Sequence, residues 1–171
     1  MAERALENIV VVLHRTQDLV NIAGTVRAMM NMGLARLRLV APETYDAYRV
    51  AGIAHGSEWL LERAEFFEDL PAALADASHI IGTTARRRTA AYVWRHPRDA
   101  APAIIERAGT LAGPVAVVFG PEDKGLSNED LDRCNELLVV PTSDRHSSLN
   151  LAQAALLIAY ELRLAALADA L

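Results

Sequence analysis

The sequence has 171 residues, of which 52% are hydrophobic and 23% are charged. That balance is typical of a globular protein and excludes intrinsic disorder, which requires low hydrophobicity and high net charge. A single cysteine, Cys134, excludes an internal disulfide framework and a cysteine-rich zinc site, and it favours a reducing compartment. The formal net charge of −5 disfavours a protein that coats nucleic acid through its overall field, but a local basic patch is compatible with it.

The chain is expected to form a single domain over residues 1–171, because it contains no internal repeat and no glycine–serine linker. Its longest apolar runs, such as residues 115–119, are much shorter than the roughly 18 residues of a membrane span. The first residues lack the pattern of a signal peptide. We therefore expect a soluble cytoplasmic protein with no membrane partner.

Short β-branched runs separated by helix-length stretches predict an α/β fold with a mostly parallel, six-stranded sheet. The runs are continuously apolar, which indicates that helices cover both faces of the sheet. The six strands are predicted at residues 9–13, 37–40, 65–67, 79–82, 115–119 and 137–140.

Two helices between these strands have recognisable ends. The first is predicted over Val20 to Met32, with one apolar stripe and with Gly33 at the position where a helix usually stops. Later in the chain, Ser127 and Asp130 resemble a capping box and predict a short helix that runs through Cys134.

Polar residues follow the first predicted strand at the edge where parallel sheets bind ligands. Asn21, Gly24 and Arg27 lie at the start of the first long helix. Arg27 is a candidate for contact with a phosphate. The same residues also fit a capping asparagine and a surface arginine, so this motif alone decides little.

A glycine-rich turn, residues 120–126, directly follows the strand at 115–119. A phosphate-binding Walker A loop requires lysine immediately after its second glycine, whereas Leu126 stands there. Two carboxylates in the turn would also repel a triphosphate. The NTPase interpretation therefore fails, and residues 120–126 fit a plain strand-to-helix turn and a functional loop equally well.

A third motif, Ser147, Ser148, Leu149 and Asn150, opens the last helix, for which Ser148 is the expected N-cap. Free backbone N–H groups and small hydroxyls at such a position are able to hold a polar ligand. The helix that follows is rich in alanine and leucine. It carries more apolar surface than one sheet face needs, so we expect a contact with another subunit.

The stretch from Thr83 to Pro97 combines the arginines at 86–88 with Tyr92 and Trp94. Guanidinium groups interleaved with aromatic rings suit phosphates and unstacked bases, although a solvated charge run has the same composition. The five histidines show no metal-ligand spacing, and no Gly-x-Ser-x-Gly elbow occurs. The sequence therefore predicts neither a metal site nor a serine hydrolase.

In combination, order and spacing, residues 21–27, 119–126 and 147–154 resemble the three motifs of the SPOUT superfamily of RNA methyltransferases, in its ribose 2′-O-methylating TrmH/SpoU branch. The resemblance spans nearly the whole chain. Residues 82–89 also resemble the arginine loop of TrmJ-type enzymes, which methylate the first anticodon-loop nucleotide of tRNA. The function implied is transfer of a methyl group from S-adenosylmethionine to a ribose 2′-OH, most simply in tRNA.

The resemblance further implies a trefoil knot in the carboxyl-terminal part, a homodimer with substrate groups from both subunits, and no metal. RNA contacts would come from Arg86 and Arg88. The residues that would bind S-adenosylmethionine are Thr83, Thr84, Ala85, Phe119, Gly120, Glu122, Val140, Pro141, Ser147, Ser148, Leu149 and Asn150.

In the same family pattern, Arg27 corresponds to the catalytic arginine, and the supporting polar positions are Asn21, Glu122, Ser148 and Asn150. An arginine pKa above about 12 makes Arg27 a poor base, so its guanidinium is expected to orient the ribose and a phosphate and to stabilise the developing alkoxide.

Two alternatives stay open. The same chemistry on ribosomal RNA fits the motifs equally well. A knotted dimer that binds RNA or S-adenosylmethionine without catalysis is the other, because TrmJ-type relatives commonly carry arginine where this chain has Pro121 and Asp123.

Overall fold

A computed structural model of the protein describes residues 2–85, 92–110 and 112–168. The predicted RNA contacts Arg86 and Arg88 lie outside these described residues. The elements within them are α1 (Ala2–Glu7), β1 (Ile9–His14), α2 (Leu19–Met32), β2 (Arg36–Val40), α3 (Ala47–Ile53), α4 (Glu58–Leu61), β3 (Glu65–Phe67), α5 (Leu70–Ala73), β4 (His79–Thr83), β5 (Trp94–Arg95), α6 (Pro97–Gly109), β6 (Val115–Phe119), α7 (Asn128–Asp132), β7 (Glu136–Leu138) and α8 (Leu151–Ala168).

The strands form one parallel sheet in the order β3-β2-β1-β6-β4-β7-β5. The predicted count of six strands is wrong, because the described residues form seven. The strand missing from the prediction is β5, whose residues Trp94 and Arg95 pair with Leu137 and Leu138 at the edge of the sheet. Two residues are too few for a hydrophobic period to indicate a strand.

Apolar clusters cover both faces of the sheet, as the continuous apolar strands predicted. Along β1, Val11 and Leu13 pack into the cluster formed with α1, α2, α6 and α8. Val10 and Val12 point to the opposite face, where they meet Leu70 and other residues near α5 and α7. The alternation follows from the two-residue period of a strand, and burial on both sides explains why no polar residue interrupts it.

The predicted ends of the early helices are confirmed with small shifts. Asp18 caps α2 by accepting a hydrogen bond from the Val20 backbone N–H, and Gly33 ends it in the left-handed region with φ 81°. The capping box of Ser127 and Asp130 opens α7. That helix ends at Asp132, two residues before the predicted end at Cys134.

The expected N-cap of the last helix, Ser148, is wrong, because Asn150 fills that role. The Asn150 side-chain oxygen accepts from the backbone N–H groups of Ala152 at 2.9 Å and Gln153 at 3.3 Å, so α8 begins at Leu151. Asparagine is at least as good an N-cap as serine. The shift leaves Ser147 and Ser148 in the loop, free to face a ligand.

The helix α8 crosses α2 at very short range. A Cβ atom added to Gly24 would lie 2.7 Å from the Cβ of Ala152, so glycine is needed for the two helices to pack. The 18 residues of α8 have a mean hydropathy of 1.5, which meets the length and composition of a membrane span, but a third of the helix is buried against the rest of the fold. A core helix of a globular protein has the same composition.

Candidate active site

A cavity of about 340 Å³ opens beyond the carboxyl ends of β4, β6 and β7. This is the edge at which parallel α/β sheets bind their ligands. Its walls come from three loops and one face of α8. The lining residues are Thr83, Thr84, Ala85, Phe119, Gly120, Pro121, Glu122, Asp123, Lys124, Gly125, Leu126, Leu138, Val140, Ser147, Ser148, Leu149, Leu151, Ala154 and Ile158.

The first wall, residues 83–85, is fixed to the neighbouring strands. The Thr83 hydroxyl donates to the Val118 carbonyl at 2.9 Å, and the Thr84 backbone N–H donates to the Leu138 carbonyl at 3.1 Å. These bonds tie the end of β4 to both β6 and β7. The start of the loop is therefore held in place before any ligand arrives.

The second wall is the glycine-rich turn after β6. A Cβ atom on Gly120 would lie 2.4 Å from the backbone nitrogen of Leu126, so the turn closes on itself only because residue 120 is glycine. The Gly125 N–H donates to the Pro121 carbonyl at 2.8 Å and completes the turn. This geometry presents Glu122 toward the loop that follows β1.

The Glu122 carboxylate is an acceptor for the amino end of α2. It accepts from the Gln17 backbone N–H at 2.8 Å, from the Asp18 N–H at 3.4 Å and from the Asn21 side-chain amide at 3.2 Å. The free N–H groups and the positive end of the helix dipole favour a carboxylate there. Glu122 thereby joins the first and second motifs.

Asn150 extends this connection to the third motif. Its side-chain amide donates to the side-chain oxygen of Asn21 at 2.8 Å, while its own oxygen caps α8. Glu122, Asn21 and Asn150 therefore form one hydrogen-bonded chain. The hydrogen-bonded chain joins residues more than 100 positions apart, and of its three members Glu122 lines the cavity.

Arg27 lies apart from this chain. Its side chain is exposed, and Nη1 donates to the His55 carbonyl at 3.1 Å. Among the described residues, Arg27 is not one of those that line the cavity. Within one copy of the chain, the structure thus does not bring Arg27 together with Glu122 and Ser148.

Most of the predicted cofactor-binding residues line the cavity, and two do not. Pro141 and Asn150 stand outside the lining. The predicted cofactor-binding set lacked six apolar residues that do line the cavity: Pro121, Leu126, Leu138, Leu151, Ala154 and Ile158. The last three recur at helical spacing on α8, a pattern that cannot be distinguished from an ordinary core stripe by sequence alone.

Burial shifts the pKa of two titratable groups, His14 and Cys134, in the direction that favours the neutral form. Burial lowers the pKa of His14, whose Nδ1 lies 3.6 Å from the Asp130 carboxylate, too far for a hydrogen bond. Burial also raises the pKa of the Cys134 thiol to about 12. Within the described ranges, no group of three or more histidine, cysteine, aspartate or glutamate side chains is placed to hold a metal ion.

The comparison with known proteins agrees with this geometry. The sequence model of the SpoU rRNA methylase family matches residues 8–160. The tRNA (cytidine/uridine-2'-O-)-methyltransferase TrmJ of Photorhabdus laumondii is 38% identical over 163 residues, which cover 95% of this chain and 67% of the relative. TrmJ of Pseudomonas aeruginosa, named as a tRNA (cytidine/uridine/adenosine-2'-O-)-methyltransferase, is 40% identical over 95% of this chain and 63% of its own length.

A solved structure shows the same fold. A probable methylase family protein from Haemophilus influenzae superposes with a TM-score of 0.88 at 38% identity, covering 96% of this chain and 69% of that chain. This chain spans about two thirds of the length of the curated relatives. The matched motifs, fold and family model lead to one conclusion: the chain belongs to the SpoU methylase family.

Proposed function

We propose that this protein transfers a methyl group from S-adenosylmethionine to a ribose 2′-OH of tRNA, in the anticodon loop. The observation that carries the proposal is the hydrogen-bonded chain Glu122–Asn21–Asn150, which gathers three motifs at the rim of one cavity. Support for tRNA as the substrate comes from the TrmJ relatives, which are named as tRNA 2′-O-methyltransferases.

The cavity suits S-adenosylmethionine in size and in lining. Its volume of about 340 Å³ lies within the range of small-molecule sites. Apolar walls from Leu126, Leu138 and Ile158 suit an adenine ring, and the hydroxyl groups of Ser147 and Ser148 suit the polar ends of the ligand. Bound there, S-adenosylmethionine supplies a methyl group on a positively charged sulfur.

The residues of this chain would act by positioning. The turn closed at Gly120 and the strand ends tied by Thr83 form a preorganised pocket. Glu122 and Asn150 hold the amino end of α2 against that pocket. The ribose 2′-oxygen would attack the methyl carbon in line, so that an O–C bond forms as the S–C bond breaks and S-adenosylhomocysteine leaves. The 2′-hydroxyl proton would pass to solvent, and the Arg27 guanidinium would stabilise the negative charge that develops on the oxygen.

A homodimer accounts for the position of Arg27, because a second copy would supply the guanidinium that the cavity lacks within one chain. The exposed apolar side chains of α8 support this assembly. They are Leu156, Leu157, Tyr160, Leu164 and Leu167. An interface on α8 would bury them.

Other features expected of the family fit the same proposal. The trefoil knot in the carboxyl-terminal part, where β6 and β7 pair with the two sides of β4, belongs to the same proposal. Arg86 and Arg88 are proposed as RNA contacts, and the single domain would act in the cytoplasm, where tRNA is found.

The test is methyl transfer by the purified protein from labelled S-adenosylmethionine to total tRNA and, separately, to ribosomal RNA. We expect incorporation into tRNA, with the label recovered as a 2′-O-methyl nucleoside by mass spectrometry. Arg27→Ala should lower the rate about 100-fold or more at unchanged S-adenosylmethionine affinity, because a group that stabilises the transition state contributes to that extent. Arg107→Ala, an exposed arginine on α6, is the control.

Label found only in ribosomal RNA would overturn the tRNA assignment. Binding of S-adenosylmethionine without transfer to either RNA would favour the non-catalytic alternative. Mixing the Arg27→Ala and Asn150→Ala variants tests the dimer. If each copy contributes to the other's site, mixed dimers regain part of the activity, whereas separate sites leave the mixture inactive.

A further inference from the structure

Each of the three loops that meet at the site carries an exposed, positively charged side chain. Each of these lies two residues from a residue that binds Glu122, from Glu122 itself or from a residue that lines the cavity. The cations are Arg15, Lys124 and Arg145. We propose that these three side chains bind the phosphates of the RNA strand whose ribose enters the cavity. The inference rests on the proposed function and names the groups that would hold its substrate.

Arg15 directly follows β1 in a backbone conformation that arginine rarely adopts. Its φ is 55°, in the left-handed region, and its N–H donates to the Val40 carbonyl at 2.8 Å. Glycine or asparagine would adopt this conformation at lower cost, so the backbone gives no reason for an arginine here. Two residues later, the Gln17 N–H binds Glu122.

Lys124 belongs to the turn after β6 and lines the cavity itself. It comes two residues after Glu122 and is exposed, whereas Glu122 is half-buried. The hydrogen bond from Gly125 to Pro121 holds the turn that presents it.

Arg145 lies in a tight turn at the third loop. The His146 N–H donates to the Ser143 carbonyl at 3.2 Å and to its hydroxyl at 3.3 Å, which closes the turn around residues 144 and 145. Arg145 is exposed and stands two residues before Ser147, a lining residue. The turn therefore displays a guanidinium at the rim of the cavity.

None of the three cations has an ion-pair or hydrogen-bond partner for its side chain in the part of the chain that the structure describes. Elsewhere, by contrast, four arginines are neutralised by carboxylates: Arg38 by Asp76, Arg95 by Glu136, Arg98 by Glu161 and Arg133 by Glu129. Unpaired guanidinium and ammonium groups are available to a phosphate.

The partner is a phosphate chain rather than the carboxylate of a small ligand, because the cations extend beyond the cavity. Only Lys124 lines it, while Arg15 and Arg145 stand on different loops outside the lining. Two exposed carboxylates are their neighbours in the sequence: Asp123 precedes Lys124, and Asp144 precedes Arg145. In a protein of net charge −5, a nucleic acid needs such local cations to approach the site at all.

The experiment compares two triple variants of equal charge. The test variant is Arg15→Gln/Lys124→Gln/Arg145→Gln. The matched control is Arg4→Gln/Arg36→Gln/Arg107→Gln. These three arginines have no ion pair among the described residues. They lie toward the amino ends of β1, β2 and β6, at the edge of the sheet opposite the cavity. Binding of unmodified tRNA is measured by fluorescence anisotropy over a range of KCl concentrations, and S-adenosylmethionine binding is measured by calorimetry.

We expect the test variant to weaken tRNA binding about 10-fold or more at low salt and to lower the slope of log affinity against log salt by about 2, since each lost phosphate contact on a single strand removes roughly 0.7. The control and the S-adenosylmethionine affinity should stay within about twofold of the unmodified chain. A test variant that binds tRNA like the control would overturn the inference. So would a loss of S-adenosylmethionine binding in the test variant, because the cations would then serve the cofactor. If the unmodified chain itself fails to bind tRNA, the proposed function fails instead.

Discussion

The anchor that Glu122 provides to α2 can be tested by removing its carboxylate. The side chain accepts hydrogen bonds from three donors, with shortest distances of 2.8 Å from Gln17, 3.4 Å from Asp18 and 3.2 Å from Asn21. A hydrogen bond to a charged group contributes about 1.5–3 kcal/mol, and only the shortest of these three has full strength. Partial exposure of Glu122 reduces the sum. We therefore expect Glu122→Ala to lower the free energy of unfolding by about 3 kcal/mol.

Glu122→Gln separates the charge from the shape of the side chain. It keeps one acceptor oxygen but turns an amide NH₂ toward N–H donors, so its expected cost is about 1–2 kcal/mol. For a chain of this length, 1 kcal/mol shifts Tm by roughly 2–4 °C. The Ala variant should accordingly melt about 6–12 °C lower, and the Gln variant should lie between it and the unmodified chain.

The neighbouring carboxylate supplies the control. Asp123→Asn makes the same change of charge at an exposed position without a hydrogen bond among the described residues, so its stability should change by less than about 0.5 kcal/mol. Urea denaturation followed by circular dichroism gives all three values. If Glu122→Ala and Glu122→Gln unfold at the same urea concentration as Asp123→Asn, the carboxylate does not anchor α2, and the account of the site's construction is wrong.

Three further outcomes are expected. Gly24→Ala should cost about 1–2 kcal/mol in urea denaturation, because overpacking against α8 exceeds the gain in helix propensity, and adding Ala152→Gly should recover most of the loss. Cys134, with its thiol pKa raised to about 12 by burial, should react with iodoacetamide at pH 8 far more slowly in the folded chain than in urea, and equal rates would contradict its burial. Burial alone would raise the pKa of Glu136, but hydrogen bonds from its partners on β4 and β5 hold that pKa below the ordinary value of 4.5. Its ionised form therefore stabilises the fold above that pH, and the benefit is lost as the pH falls through the lowered pKa, so Glu136→Gln should flatten the acid limb of the stability profile.

The centre of the sheet could be predicted from the sequence because β1 and β6 are mostly continuous apolar runs. The valine-rich runs of β1 and β6 predicted parallel strands with helices on both faces, and the two strands pair with each other in the sheet. The edge strand β5 could not be predicted from the sequence, because it contains only Trp94 and Arg95 and depends on pairing with β7. Its stability comes from tertiary contacts such as the ion pair between Arg95 and Glu136, which leave no local pattern.

The site was predicted in outline for a different reason. Three motifs in a fixed order located most of the cavity lining, but no sequence pattern stated which side chains would touch. The hydrogen bond between Asn21 and Asn150 joins residues 129 positions apart, and the same Asn150 side chain caps α8 with its other polar atom, the oxygen. The position of Arg27 away from the cavity was equally invisible, because an exposed arginine and a catalytic one have the same helical spacing.

The central claim is that the three gathered motifs make a tRNA ribose 2′-O-methyltransferase. The most direct measurement is mass spectrometry of nuclease-digested tRNA from cells with and without the gene for this chain, with each 2′-O-methyl group mapped to its nucleotide. The account predicts the loss of a 2′-O-methyl group in the anticodon loop, at its first nucleotide, and its return when the gene is restored but not when the Arg27→Ala form is supplied. An unchanged set of 2′-O-methyl nucleotides in tRNA would contradict it.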